Sequence, residues 1–524
     1  MLPEKIMKED RKNLKLSFEY VLPDYEPTVK RVMLVDARLL PNERIELAES
    51  VSLSGVVEYR MVYQSVNDEL SALSFTVPYE CTLAPQQGAT RLEERVVLSS
   101  FSCMPSGPRR VNAKGEVCAS LASFGPSEMA HLREDADLHT LSANFPYTNF
   151  LYSAREEREY AEMVAELADP EACVLYSDGV LRIDEARPMK DGVLVGGKCL
   201  LSALVLEKHM PREIRAEIPF EEFLPMGQML EENAHVLCEG EVHALSLDVE
   251  MQEDTCALVA SLCVCFRASA CENHEISLAL DAYSTAHAVE CEMGEQTLSV
   301  LRCGGPCRQT ISMKLPASDG DPLPMARLIY AAPTLKILEC TVGMDAVNLN
   351  VNLALSLLGT NAGEEQARRM DADGLDESTD SPGAAPVEFI RQKGAESFSL
   401  SLPMKGARPG MICRVSSPMV YGVTASLEEG SFLFGAELSL SIGVFEEIRV
   451  PVCVDVRRTQ EVILPCEDSV CVVFPDSTDT LWSVAKAHHV GVEDILRENP
   501  EIQCSTEKWN DKDSLTKIQH LLIV

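Results

Sequence analysis

The sequence predicts a mainly β chain: three tandem antiparallel units, each a β sandwich or small barrel, followed by a small βααβ domain. Three observations carry this reading. Long stretches alternate apolar and polar residues with period two, the pattern of half-buried antiparallel strands. The same order of such strands recurs three times along the chain. Helical spacing with caps is concentrated near the C-terminus, from Asp479 to Pro500.

Taken in order, each unit has a long alternating strand: Val51–Tyr63, Gly192–Leu206 and Val347–Leu358. Each also has a second motif that alternates and ends in Pro followed by a large apolar residue: Ser71–Tyr79, Arg212–Phe220 and Glu396–Met404. A third strand follows in Ala113–Leu121, Cys256–Phe266 and Ser431–Ile442. Once the hydrophilic segment from Thr360 to Gly394 is set aside, the prolines Pro78, Pro219 and Pro403 recur at roughly 140 to 150 residues. Burying one face of each strand calls for two packed layers. The expected boundaries are 1–150, 151–292 and 293–458 for the units, with a flexible acidic insertion at 360–394, and 468–524 for the last domain. Ala154–Leu167 is rich in helix formers and carries Tyr160, Met163, Val164 and Leu167 at helical spacing, so it is expected to be a helix at the start of unit two.

With 524 residues the chain is too long for one core. A formal net charge of −36 spread along the sequence disfavours nucleic acid and anionic lipid as partners. No apolar run is long enough to cross a bilayer, and the first residues contain no apolar signal core, so direct membrane insertion is not expected and a cytosolic location is. The 19 cysteines, scattered through hydrophobic strands, read as reduced, small apolar residues rather than a disulfide framework.

In the last domain, the strand-like run Cys471–Phe474 leads to a turn where Thr478 or Asp479 caps a helix with Leu481, Val484, Ala485 and His488 on one face. Gly491 starts a second helix, Asn499-Pro500 stops it, and Leu521–Val524 closes as a strand. This order, with "DTLW" opening helix one and "ENP" closing helix two, resembles the LysM module, best known for binding N-acetylglucosamine polymers. The chain has Thr478 and Ile518 where that family usually has Gly, which points from a sugar groove toward a protein partner. Upstream, Phe18–Val32 with Asp36-Ala-Arg38, the "SGVVEYRMVY" strand and Asp281-Ala-Tyr-Ser-Thr285 resemble the SPOCS domain of clostridial sporulation proteins. SPOCS repeats followed by LysM are the layout of the SipL-type family of spore coat morphogenetic proteins. That resemblance implies a non-enzymatic scaffold of the mother cell, gathered at the forespore surface, which binds the coat basement-layer ATPase through its LysM-like domain and possibly other coat proteins. The expected partner face is Thr478, Asp479, Thr480, Leu481 and Trp482 with Asn499 and Pro500. The alternative is a glycan-binding protein of the wall or cortex.

Other chemistry finds less support. Gly192–Lys198 followed by Cys199 lacks the Ser or Thr of a phosphate loop and sits within a strand pattern. Cys263, Cys265, Cys271 and His274 are close in sequence, but their neighbours indicate a buried sheet. Cys303-Gly-Gly-Pro-Cys307 reads as a tight turn, Asp371, Asp373 and Asp376 as solvated charges, and His488-His489 as diverging side chains. No catalytic residue, metal site or cofactor is assigned.

Overall fold

The computed structural model describes residues 4–40, 43–126, 137–361, 388–461 and 470–523, apart from 209, 228, 233, 253–254, 317–324, 326, 429–430, 503–508, 512–514 and 516–517. The acidic insertion, with Asp371, Asp373 and Asp376, lies outside the described residues.

Unit one comprises β1 (Glu4–Val21), β2 (Val29–Leu39), β3 (Glu43–Glu46), β4 (Val51–Ser65), β5 (Leu70–Leu83), β6 (Arg91–Gly107) and β7 (Arg110–Pro126). Its two antiparallel sheets are centred on β7, between β1 and β6, and on β4, between β2 with β3 and β5. Unit two repeats this with β8 (Leu138–Leu167), β9 (Cys173–Met189), β10 (Gly192–Glu207), β11 (Met210–Pro225), β12 (His235–Gln252) and β13 (Thr255–Ser284), ordered β8-β13-β12 and β9-β10-β11. Unit three does so again with β14 (His287–Pro316), β15 (Arg327–Val342), β16 (Ala346–Thr360), β17 (Phe389–Pro403), β18 (Ile412–Glu428) and β19 (Ser431–Glu461), ordered β14-β19-β18 and β15-β16-β17. The first and third alternating stretches of each repeat form the two central strands of each sandwich, and the second forms an outer strand. In β16, for example, Val347, Leu349, Val351, Leu353, Leu355 and Leu357 all point into the core.

The three units meet at one shared cluster to which each contributes the same structural positions. Leu34 pairs with Val62, Tyr176 with Leu204, and Tyr330 with Leu358. The ladder is interrupted by a bulge next to each pair, at Met33, Leu175 and Ile329, and all nine residues pack together. A bulge turns one extra side chain out of the regular pleat; here each supplies an apolar residue to the junction. Beside it, Arg60 of unit one hydrogen-bonds Asp36 and the Ser177 carbonyl and stacks on Tyr176 of unit two, with its guanidinium carbon 4.6 Å from the ring centroid. Pro78 faces Val56 and Pro219 faces Lys198, six residues before Val62 and Leu204. Pro403 instead faces Ala346 at the start of β16, so Ser397, opposite Asn352, holds the equivalent place in unit three. All three prolines lie on outer strands, where a missing N–H is tolerated.

The expected boundaries at 150/151 and 292/293 fall inside continuous strands. The first half of β8 pairs with the second half of β13, and the first half of β14 pairs with the second half of β19, as two ribbons extending beyond the sandwiches. Tyr147 and Leu278 of one ribbon pack on Leu298, Val450 and Val452 of the other, forming a four-stranded stalk.

Two local expectations are corrected. Ala154–Leu167 is not a helix but the second half of β8, paired along its length with β13 apart from a bulge at Val164. Without it the buried strand β13 would lose its ladder on one side, a cost that outweighs the helix propensity of Ala and Glu. Cys303–Cys307 is not a turn: it runs within β14 after a register shift between Leu301 and Cys303. Gly192–Leu206 is strand as read. A Cβ at Gly197 would lie 2.1 Å from the Arg182 carbonyl oxygen, so close strand packing accounts for that glycine.

Candidate partner-binding site in the C-terminal lobe

The last domain is built from β20 (Cys471–Val473), α1 (Leu481–His488), α2 (Val492–Glu498) and β21 (Leu521–Ile523), with β20 and β21 antiparallel. The N-cap of α1 is Thr480 rather than Thr478 or Asp479. Its hydroxyl accepts from the Ser483 N–H, and Ser483 Oγ accepts from the Thr480 N–H, a reciprocal capping box. Asp479 instead closes the preceding turn by accepting from the Asp476 N–H. His489 ends α1 in the left-handed conformation and Gly491 caps α2.

Of the seven residues expected at the partner face, four are buried: Thr480, Leu481, Trp482 and Asn499. Asn499 donates to the carbonyls of Ile495 and Leu522 and accepts from the Leu522 N–H, tying α2 to β21. Leu481 is core. Trp482 is an anchor whose partners lie in this same chain. Its indole N–H donates to Asp281 Oδ2 at 2.8 Å, and its ring meets Tyr283 edge-on with centroids 4.8 Å apart. Thr478 and Pro500 are exposed and Asp479 is partly so.

Asp281 and Tyr283, at the end of β13, are the centre of this docking. Lys486 Nζ donates to both Asp281 oxygens at 2.7 and 2.8 Å. The Tyr283 hydroxyl donates to the Val490 carbonyl at 2.7 Å, and His489 Nδ1 lies 2.9 Å from the Ser284 carbonyl. Burial pushes the Asp281 carboxyl up, but the hydrogen bonds from Lys486 and Trp482 outweigh it and hold it below the ordinary range. Burial pushes the Tyr283 phenol up, keeping it a donor. The lobe is therefore clamped to the tip of the stalk through one shared apolar cluster that also contains Leu141.

Docking leaves a different face open. Val472 and Leu522 sit opposite each other on β20 and β21, and both are exposed, as are Val470 and Phe474 farther along the same side. Phe474 is 73% exposed. Sequence reading used Cys471–Phe474 only as a strand; alternation within a two-stranded ladder was the available sign that Val472 and Phe474 point away from the helices.

Cys263, Cys265, Cys271 and His274 do not converge. Cys271 packs on Leu301 and Phe445, whereas Cys263 and Cys265 lie on the face of β13 opposite Leu262, Val264 and Phe266. Among the described residues no helix is long and apolar enough to cross a membrane. No family model, curated protein or solved structure matches the chain.

Proposed function

We propose that this protein is a non-enzymatic scaffold of endospore coat assembly, in which a body of three SPOCS-like sandwiches presents a LysM-like lobe to the basement-layer ATPase at the forespore surface. The resemblance is the support for the partner, and the uncovered apolar stripe is the support for the face. The observation that carries the reading is that the lobe is held at the stalk tip by Trp482, Lys486 and Tyr283 while Val470, Val472, Phe474 and Leu522 stay uncovered. Single exposed apolar residues are ordinary, whereas a contiguous stripe with an aromatic at its end suits a protein contact. The grip thus shifts from the helix-one start to the outer face of β20 and β21, with Thr478 and Pro500 at its rim.

The test is a binding titration of the purified full chain with the purified ATPase. Phe474→Glu combined with Val472→Glu is expected to weaken binding by about tenfold or more, since buried aromatic anchors carry much of an interface. Equal binding by this variant, or saturable binding of chito-oligomers instead of the ATPase, overturns the reading.

A further inference from the structure

Away from the lobe, where the three sandwiches close on one another, Glu157, His243 and Cys265 direct a carboxylate oxygen, an imidazole nitrogen and a thiol sulfur to one place, all within 4.8 Å of one another. The strand register explains the convergence. Glu157 on β8 and Glu241 on β12 both face Cys265 on β13, and the register shift between Val242 and Ala244 makes His243 the extra residue of a bulge. Bulges re-aim side chains, and this one lays the ring over the sulfur side of the sheet. The His243 side chain is 5% exposed, and its Nδ1 has no hydrogen-bond partner, lying 3.5 Å from Glu157 Oε1. A buried ring nitrogen left unpaired in a set of ligand-type residues calls for an explanation.

We propose that Glu157, His243 and Cys265 form a zinc-class divalent metal site at the inter-unit junction. Thiolate, imidazole and carboxylate together are the donor set that suits Zn²⁺, and three protein ligands leave a fourth position for water. That position adjoins a cavity of about 400 Å³ lined by His243, by Glu94 and Arg95 of unit one, and by Pro418 and Met419 of unit three. On binding, the Cys265 S–H bond breaks, its proton leaves to solvent and the sulfur lone pair goes to the metal. The thiolate and carboxylate neutralise the ion's two charges. Arg155 stands beside the site, its charge answered by Glu157 at 3.6 Å and Glu94 at 4.0 Å. The ion would join the three strands of the sheet in unit two on the face that units one and three cover.

The test uses the full chain, reduced and stripped with chelator, then titrated with Co²⁺ and back-titrated with Zn²⁺. The expected result is a thiolate-to-cobalt charge-transfer band that saturates near one equivalent and disappears on adding Zn²⁺. Cys265→Ser removes the band, whereas Cys173→Ser, at an exposed cysteine, keeps it. Glu157→Gln alters an exposed side chain and so should leave folding intact; it is expected to weaken Co²⁺ binding about tenfold or more. Absence of a saturable band, its survival in Cys265→Ser, or equal affinity in Glu157→Gln overturns the proposal.

Discussion

Asp281 ties two side chains of the lobe to the stalk, because it accepts from both Trp482 and Lys486. Replacing it with Ala leaves a buried indole N–H unpaired, at a cost of about 1–3 kcal/mol. The loss of Lys486, 42% exposed, adds little after solvent screening. The pH dependence follows from the sign of the shift. A carboxyl whose folded pKa is depressed stabilises fully above its unfolded value, near 3.9, and loses that contribution as pH falls through the lower folded value. The groups facing it are Lys486, Trp482, the Ala282 backbone N–H, 2.9 Å from Oδ1, and the Cys291 thiol, 3.6 Å from the same oxygen. Docking is thus expected to hold unchanged from neutral to mildly acidic pH and to loosen in the carboxylate range. In Asp281→Asn it should be weaker throughout and lose that acid step. Amide hydrogen exchange of α1 across pH measures both; an unchanged acid step in Asp281→Asn would contradict the assignment. Trp482, one position off the apolar stripe of α1, was recognisable in the sequence as a member of the expected partner face, at its rim or as its anchor. What it anchors to was not, because Asp281 and Tyr283 lie about two hundred residues upstream and only tertiary structure brings them near.

At the scale of elements, alternation was the readable signal and composition the misleading one. The central strands β4, β10 and β16 follow their sequence pattern closely. The Glu- and Ala-rich half of β8 does not advertise itself as a strand, since its identity comes from the neighbour it completes. The two readings differ at one position. A helix stripe would bury Met163 along with Tyr160, Val164 and Leu167; in β8, Met163 is 51% exposed and Leu167 is 5% exposed. Met163→Ala is therefore expected to change stability by no more than about 0.5 kcal/mol, as for a surface site. Leu167→Ala should cost about 2–5 kcal/mol, the range for emptying a packed leucine site. Urea midpoints followed by hydrogen exchange in β13 compare them, and equal losses would favour the helix. The bulges at Met33, Leu175 and Ile329 carried no such sign, because an extra residue in a ladder becomes visible only once its partner strand is known.

At the scale of the whole molecule, the repeat was legible and its arrangement was not. Three similar sequences suggest a string of beads; instead, equivalent positions of the three sandwiches meet in one cluster. The stalk then gives the lobe a support that no single sandwich provides, since its ribbons come from the ends of β8 and β13 on one side and β14 and β19 on the other. This division of labour makes a prediction about deleting residues 470–524. Tyr283 and Leu141, now 1% and 8% exposed, would face water, and the Val490 carbonyl that accepts from Tyr283 would be gone. Each sandwich keeps its own core, so its central strand has no reason to loosen. Hydrogen exchange is therefore expected to rise at residues 138–142 and 281–290 in the deleted chain, with protection fading toward Leu278 and Leu298, and to stay unchanged in β4, β10 and β16. Loss of protection in those central strands would mean that the lobe contributes to the folding of the body, and the picture of a stalk carrying a separate module would fail.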